Sequence, residues 1–189
     1  MQSTAGVPAG GHGDGAGLLR GLEVGATGAV VVQHQFESAD SVQTLAEGLA
    51  EYLAANPSLK RGPELLSPQA RAFFASHDIV HVVYGCGTSL PDEAIVKLAS
   101  IFGTTGGLGV LRGYLHHEAL DIYRKLPLGG TLLALATAPC LIVRTLWRCS
   151  RQFQRWPWTG YEPLLGVPLR DIRSQYGITV AHGRGAGAA

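Results

Sequence analysis

The segment from Ser67 to Glu93 limits the fold more than any other part of the chain. It opens on Ser67-Pro68, a side-chain cap with proline at the first helical position, where the missing N–H would go unpaired anyway. An apolar stripe follows at Ala70, Phe73, Phe74, Val80 and Tyr84, so the period is helical. Gly85-Cys86-Gly87 stops that helix, and Ser89-Leu90-Pro91-Asp92 starts another at capping-box spacing, with Asp where Glu or Gln is usual. Helices joined by so short a turn run antiparallel. The last turn of one then lies beside the first turn of the next.

Similar punctuation runs through the rest. Val42, Leu45, Ala46, Leu49, Tyr52 and Leu53 recur at helical spacing from Ser38 until Asn56-Pro57, and a Pro/Gly linker follows to Pro63. Gly103 to Gly109 reads as a Gly-rich loop. A helix is expected from there to about Leu126, then a Pro127/Gly129 break and an apolar segment over 131–156. Pro168 to Tyr176 reads as a last short helix closed by Gly177. The stretch 18–36 is ambiguous: Ala29-Val30-Val31-Val32 has strand character, but no partner strand is visible downstream. The expected class is all-α, a single-domain helical bundle over 18–180. The Gly/Ala-rich tails 1–17 and 181–189 are expected to be disordered.

Composition narrows the function. Charged residues make up 15% of the chain against roughly 25% in an average soluble domain, and mean hydropathy is +0.15. A greasy core accounts for this, and so does contact with lipid. The net charge of +1 makes no electrostatic case for nucleic acid. Cys86, Cys140 and Cys149 are scattered and odd in number, which fits a reducing compartment better than a disulfide framework. No targeting segment is expected in 1–17, which has no Lys or Arg. Thr131–Trp147 is the most apolar run, but Pro139 and Arg144 interrupt it and it is short for a membrane span.

His77 and His81 fall on the apolar stripe of the helix after Ser67. Side chains at i and i+4 stack on one side of a helix, so both imidazoles can reach one metal ion. Asp78 borders that face and can ligate directly or hold an imidazole N–H from behind. The Gly85–Gly87 turn brings Glu93 toward His81. Two imidazoles and two carboxylates form a mixed N/O site suited to a divalent metal, zinc first, with Fe(II) and Mn(II) also compatible. The residues alone leave another reading open: a core histidine at 77, a solvated Asp78, and a Glu93 that pairs with Lys97 four residues on.

The string His77-Asp78-Ile79-Val80-His81, eleven further residues and then Glu93 resembles the hallmark of the Coq4 family of coenzyme Q biosynthesis. A second stretch, Tyr161 to Ile178 with Pro168-Leu169, Arg173 and Gly177-Ile178, is similar to that family's C-terminal pattern. The likeness covers roughly 65–180. The N-terminal third does not follow it, and Gly85-Cys86-Gly87 stands where the family is more apolar.

The resemblance implies an all-helical protein that is cytoplasmic and peripheral to a membrane, on the matrix side of the inner mitochondrial membrane in a eukaryote. His77, Asp78, His81 and Glu93 would be metal ligands. The implied partners are a polyprenylated aromatic or isoprenoid lipid, a membrane surface, other quinone-biosynthesis proteins and a second copy of the chain. It also implies one of two roles. One is a metal-dependent lyase removing the C1 carboxylate of a polyprenylated hydroxybenzoate. The other is a non-enzymatic lipid-binding scaffold with a structural metal. A metallohydrolase is the weaker rival, because the zincin base is Glu and this motif carries Asp.

Two further clusters stand apart. Arg144, Arg148, Arg151 and Arg155 are spaced to line one helix face, with Trp147, Phe153, Trp156 and Trp158 beside them. That pattern fits an interfacial lipid contact or an anionic ligand head. It fits equally the solvated face of a core helix. His116-His117-Glu118 with Asp121 could add a ligand or proton relay, or be a polar helix face. Gly103–Gly109 follows no strand and lacks G-x-G-x-x-G, which argues against a nucleotide site.

Overall fold

The structure, a computed structural model, describes residues 22–24, 30–32, 34–59, 67–114 and 128–182. The expected tail 1–17, residues 183–189 and the cluster His116, His117, Glu118 and Asp121 lie outside the described residues. So does 115–126 of the expected helix. The chain divides into two compact units, 1–33 and 34–189.

The first unit contains a two-stranded antiparallel ladder. β1 (Leu22–Val24) pairs with β2 (Val30–Val32), with Leu22 opposite Val32 and Val24 opposite Val30. The strand at Val30–Val32 therefore has a partner, and it lies upstream, where a three-residue run is too short to show a period.

The second unit is helical, as expected, and carries the site. α1 (Leu45–Ala55) starts later than its apolar period implied. Thr44 caps it in a full capping box with Glu47: the Thr44 hydroxyl accepts from Glu47 N–H, and the Glu47 carboxylate accepts from Thr44 N–H at 2.8 Å. Residues 41–44 are held extended by the C-terminal segment. Leu169 N–H donates to Gln43 O and Arg170 N–H to Ser41 O, while Leu45 N–H donates to Val167 O and Ala46 N–H to Leu165 O. Those last two bonds satisfy amides that a helix start leaves unpaired. Val42, expected on the buried stripe, is 65% exposed as a result.

α2 (Pro68–Tyr84) starts where Ser67 accepts from Ala70 N–H and ends at Gly85, whose φ of 63° is the left-handed conformation of a helix stop. α3 (Leu90–Phe102) follows, capped by Ser89. α4 (Leu111–Tyr114) is the described part of the helix expected after Gly109. α5 (Leu128–Ser150) contains Pro139, and α6 (Leu169–Tyr176) ends at Gly177, φ 68°. Among the described residues no helix is long and apolar enough to cross a membrane.

α2 packs between α1 and α3, and α3 packs along α5. The core joins Phe36, Leu45, Tyr52, Ile79, Val80, Val83, Ile95, Val96, Trp156, Leu169 and Ile172. The C-terminal chain stays tied through residue 182. Ala181 N–H donates to Tyr84 O, and His182 hydrogen-bonds Asp92, so the tail expected from 181 starts no earlier than 183.

Candidate metal centre

α2 carries His77 and His81 one turn apart, with ring centroids 4.7 Å from each other. Both residues are buried, His81 completely. The turn after Gly85 delivers Glu93 in the first turn of α3, and one donor atom from each of the three residues lies within 4.8 Å of the others. Glu93 Oε1 is 3.4 Å from His81 Nε2, and Oε2 is 3.8 Å from His77 Nε2. Among the described residues neither buried Nε2 atom has a hydrogen-bond partner.

The turn also sets the protonation of one ligand. His81 Nδ1 lies 2.8 Å from Gly87 O. A carbonyl oxygen only accepts, so Nδ1 carries the hydrogen, and in the neutral ring Nε2 presents a lone pair. That lone pair faces a carboxylate. A proton on Nε2 or a divalent cation between the groups relieves that contact, and one divalent ion is within reach of both imidazoles and Glu93. Two imidazole nitrogens and a carboxylate are a donor set that zinc, Fe(II) and Mn(II) accept. Burial pushes the Glu93 carboxyl up, but contact with His81 and the charges of His81, His77 and Lys97 outweigh it and hold the group below its ordinary range. Glu93 is therefore an anion at neutral pH, as a ligand must be.

Asp78, expected among the ligands, lies elsewhere. Its Oδ1 is 3.8 Å from Nδ1 of His77, the ring nitrogen that points away from Glu93. Asp78 therefore stands behind the first imidazole, the backing position that the sequence also allowed. The group brought together is His77, His81 and Glu93.

The walls are aromatic. His81 stacks on Tyr52 with centroids 5.1 Å apart, and His77 stacks on Phe73 at 6.1 Å. Tyr114 meets Phe73 and His77 edge-on, and Trp158 closes on Phe73. Lys97, one turn after Glu93, places its Nζ 5.8 Å from the centre of the Tyr114 ring. Burial, with smaller contributions from the Asp78 and Glu93 charges, pushes the Tyr52 phenol up, so it stays neutral. Tyr52 was visible in the sequence only as one more position of an apolar period. Tyr114 falls on no such stripe.

The arginine cluster differs from its expected form. α5 ends at Ser150 through bonds that tighten its last turn, Arg151 N–H to Arg148 O and Gln152 N–H to Cys149 O. Arg144 and Arg148 are helical, whereas Arg151 and Arg155 lie beyond the helix. Trp147 and Phe153 are exposed beside them, and the Arg151 guanidinium lies 5.7 Å from the Trp147 ring. Trp156 is not interfacial. The chain turns back after Ser150, Trp156 N–H donates to Gly103 O, and the indole is fully buried against Tyr176. Trp158 is drawn inward as well, onto Phe73.

The cysteines stay out of the site. Burial raises the Cys86 thiol well above its ordinary value and that of Cys149 to about 11, while Cys140 is exposed.

No family model, curated protein or solved structure matches the chain.

Proposed function

We propose that this protein holds one divalent metal ion, zinc first, on His77, His81 and Glu93, and uses it in prenylated-quinone biosynthesis on the ring of a polyprenylated hydroxybenzoate. One observation carries the metal: two buried imidazole Nε2 atoms without hydrogen-bond partners turn toward one carboxylate at 3.4 and 3.8 Å. The pathway rests on the resemblance of His77-Asp78-Ile79-Val80-His81…Glu93 and of 161–178 to the Coq4 family.

A divalent ion held by His77, His81 and Glu93 would supply Lewis-acid stabilisation of the electron pair left on the ring when its bond to the carboxylate breaks and CO2 leaves, before that carbon takes a proton from solvent. The chain supplies the rest. His81 is held in its ligating tautomer by Gly87 O. Phe73, Tyr114 and Trp158 form an aromatic wall suited to a ring substrate. Lys97 adds a positive charge on the same helix as Glu93, suited to a carboxylate or phenolate. Among the described residues three protein donors come together, which leaves a position for a substrate oxygen, as the lyase reading requires. The exposed Ile142, Val143 and Trp147 beside Arg144 and Arg151 form the surface we assign to an anionic membrane.

Elemental analysis of protein purified without chelator tests the metal: about one ion per chain is expected, and its absence sinks the reading. Mass spectrometry of co-purifying lipid tests the substrate. A prenylated aromatic acid is expected, and phospholipid alone counts against the enzyme. Growth of a quinone-deficient host rescued by Glu93→Ala would favour the scaffold.

A further inference from the structure

We infer that His182, near the C-terminus, is a positioning residue for the metal centre, acting through its hydrogen bond to Asp92; this rests on the metal reading above. Asp92 precedes the ligand Glu93 and is itself buried. Two groups hold its carboxylate. His182 Nε2 binds Oδ1, and the Ser89 hydroxyl donates to Oδ2 at 2.7 Å. Ser89 in turn caps α3.

The contacts form one continuous connection. The segment ending at His182 is pinned to the end of α2, where Ala181 N–H donates to Tyr84 O and Val180 packs on Gly85. Between those anchors runs the turn whose Gly87 carbonyl orients His81. A Cβ at Gly87 would lie 3.3 Å from Asp92 Oδ2 and 3.5 Å from Glu37 Oε1, so this turn sits directly against the carboxylate that His182 holds. The C-terminal segment thereby ties the end of the helix carrying both imidazoles to the start of the helix carrying Glu93. The His182 side chain is half exposed and contributes little to the core. Its geometric consequence is the orientation of the first turn of α3, and with it the placement of Glu93 relative to His77 and His81. Outer-shell hydrogen bonds that orient ligands typically change metal affinity when they are removed.

The test is titration of the full chain with cobalt(II), read by its visible absorption band and dissociation constant, for wild type, His182→Ala and His182→Gln. Circular dichroism is recorded throughout. His182→Ala should weaken cobalt binding about tenfold and shift the band, with the thermal midpoint almost unchanged. His182→Gln, whose amide N–H can replace Nε2–H, should restore most of both. Unchanged affinity and spectrum in His182→Ala would overturn the inference, and so would a loss that glutamine does not repair. Unfolding of His182→Ala would overturn it too, because the contact would then hold the fold rather than the ligand. A wild-type chain that gives no cobalt band removes the metal reading itself, which is distinct from any of these.

Discussion

Arg173 is buried and pairs with no carboxylate among the described residues, and replacing it with leucine should cost several kcal/mol. Its Nε donates to Val83 O and one Nη2 hydrogen to Val82 O, both at 2.9 Å; Nη2 also donates to Phe36 O, and Nη1 to Ser38 O. One planar fork thus closes the last turn of α2 and fastens the 36–38 loop to α6. Leucine fills part of the volume and donates nothing. Val82 O keeps a bond from Gly85 N–H and Ser38 O one from Ser41 N–H, whereas Phe36 O and Val83 O depend on the guanidinium. Two buried carbonyls left without a donor cost about 1–3 kcal/mol each. Relief of the guanidinium's own desolvation, which holds its pKa down to about 10, offsets part of this. A net loss of about 3 kcal/mol follows, or roughly 6–12 °C in thermal midpoint for a chain of this size. Urea unfolding followed by circular dichroism measures it. Arg173→Lys, which keeps a charge but loses the fork, should fall between the two. A loss below about 1 kcal/mol for leucine would mean that water reaches those carbonyls, refuting the keystone argument.

Asp78→Asn should leave metal content unchanged by elemental analysis, because Asp78 lies behind His77 rather than among the three donors. Glu93→Gln should lose the metal on dialysis; equal loss in both variants would restore Asp78 as a ligand. The His182–Asp92 pair should also mark the pH dependence of stability. The hydrogen bond to Asp92 raises His182 above 6.5, so its contribution is complete below 6.5 and fades as pH rises through the raised value. Burial pushes Asp92 up, but hydrogen bonds from His182 and Ser89 hold it below 3.8, so its share is present above 3.8 and fades as pH falls through the lowered value. The stability difference between wild type and Asp92→Asn should therefore plateau between those limits. His182 is half exposed, which keeps its share at about 0.5 kcal/mol. A difference that grows above the raised His182 value would contradict this sign. Flotation with vesicles rich in anionic lipid should recover the chain at low salt, and Arg144→Ala with Arg151→Ala should weaken recovery by about 1 kcal/mol per arginine. Wild type left unbound would remove the membrane surface from the proposal.

Much of the metal centre was legible without the fold. Ser67-Pro68 and Gly85 bound α2 within the sequence itself, so the i, i+4 spacing of His77 and His81 already placed them together. Ser89 and the short turn placed Glu93 opposite them. Caps, turns and helical period act between residues a few positions apart, and the chemistry of the residues is enough to read them. Asp78 was harder to place, because bordering a face does not say toward which ring nitrogen a carboxylate will point. Trp156 and Trp158 looked interfacial beside the arginines, and only the reversal after Ser150 turned them inward.

The remaining features depend on residues distant in the chain. The late start of α1 follows from pairing of 41–46 with 165–170. The closure of α2 by Arg173 and the hold of His182 on Asp92 join positions about ninety residues apart. No local period records such contacts, since they exist only once the chain has returned on itself. The sequence alone proposed which side chains could hold a metal: two imidazoles and the two carboxylates of Asp78 and Glu93. The tertiary structure decided which nitrogen of each ring faces Glu93, where Asp78 stands, and that His182 bonds Asp92 beside Glu93.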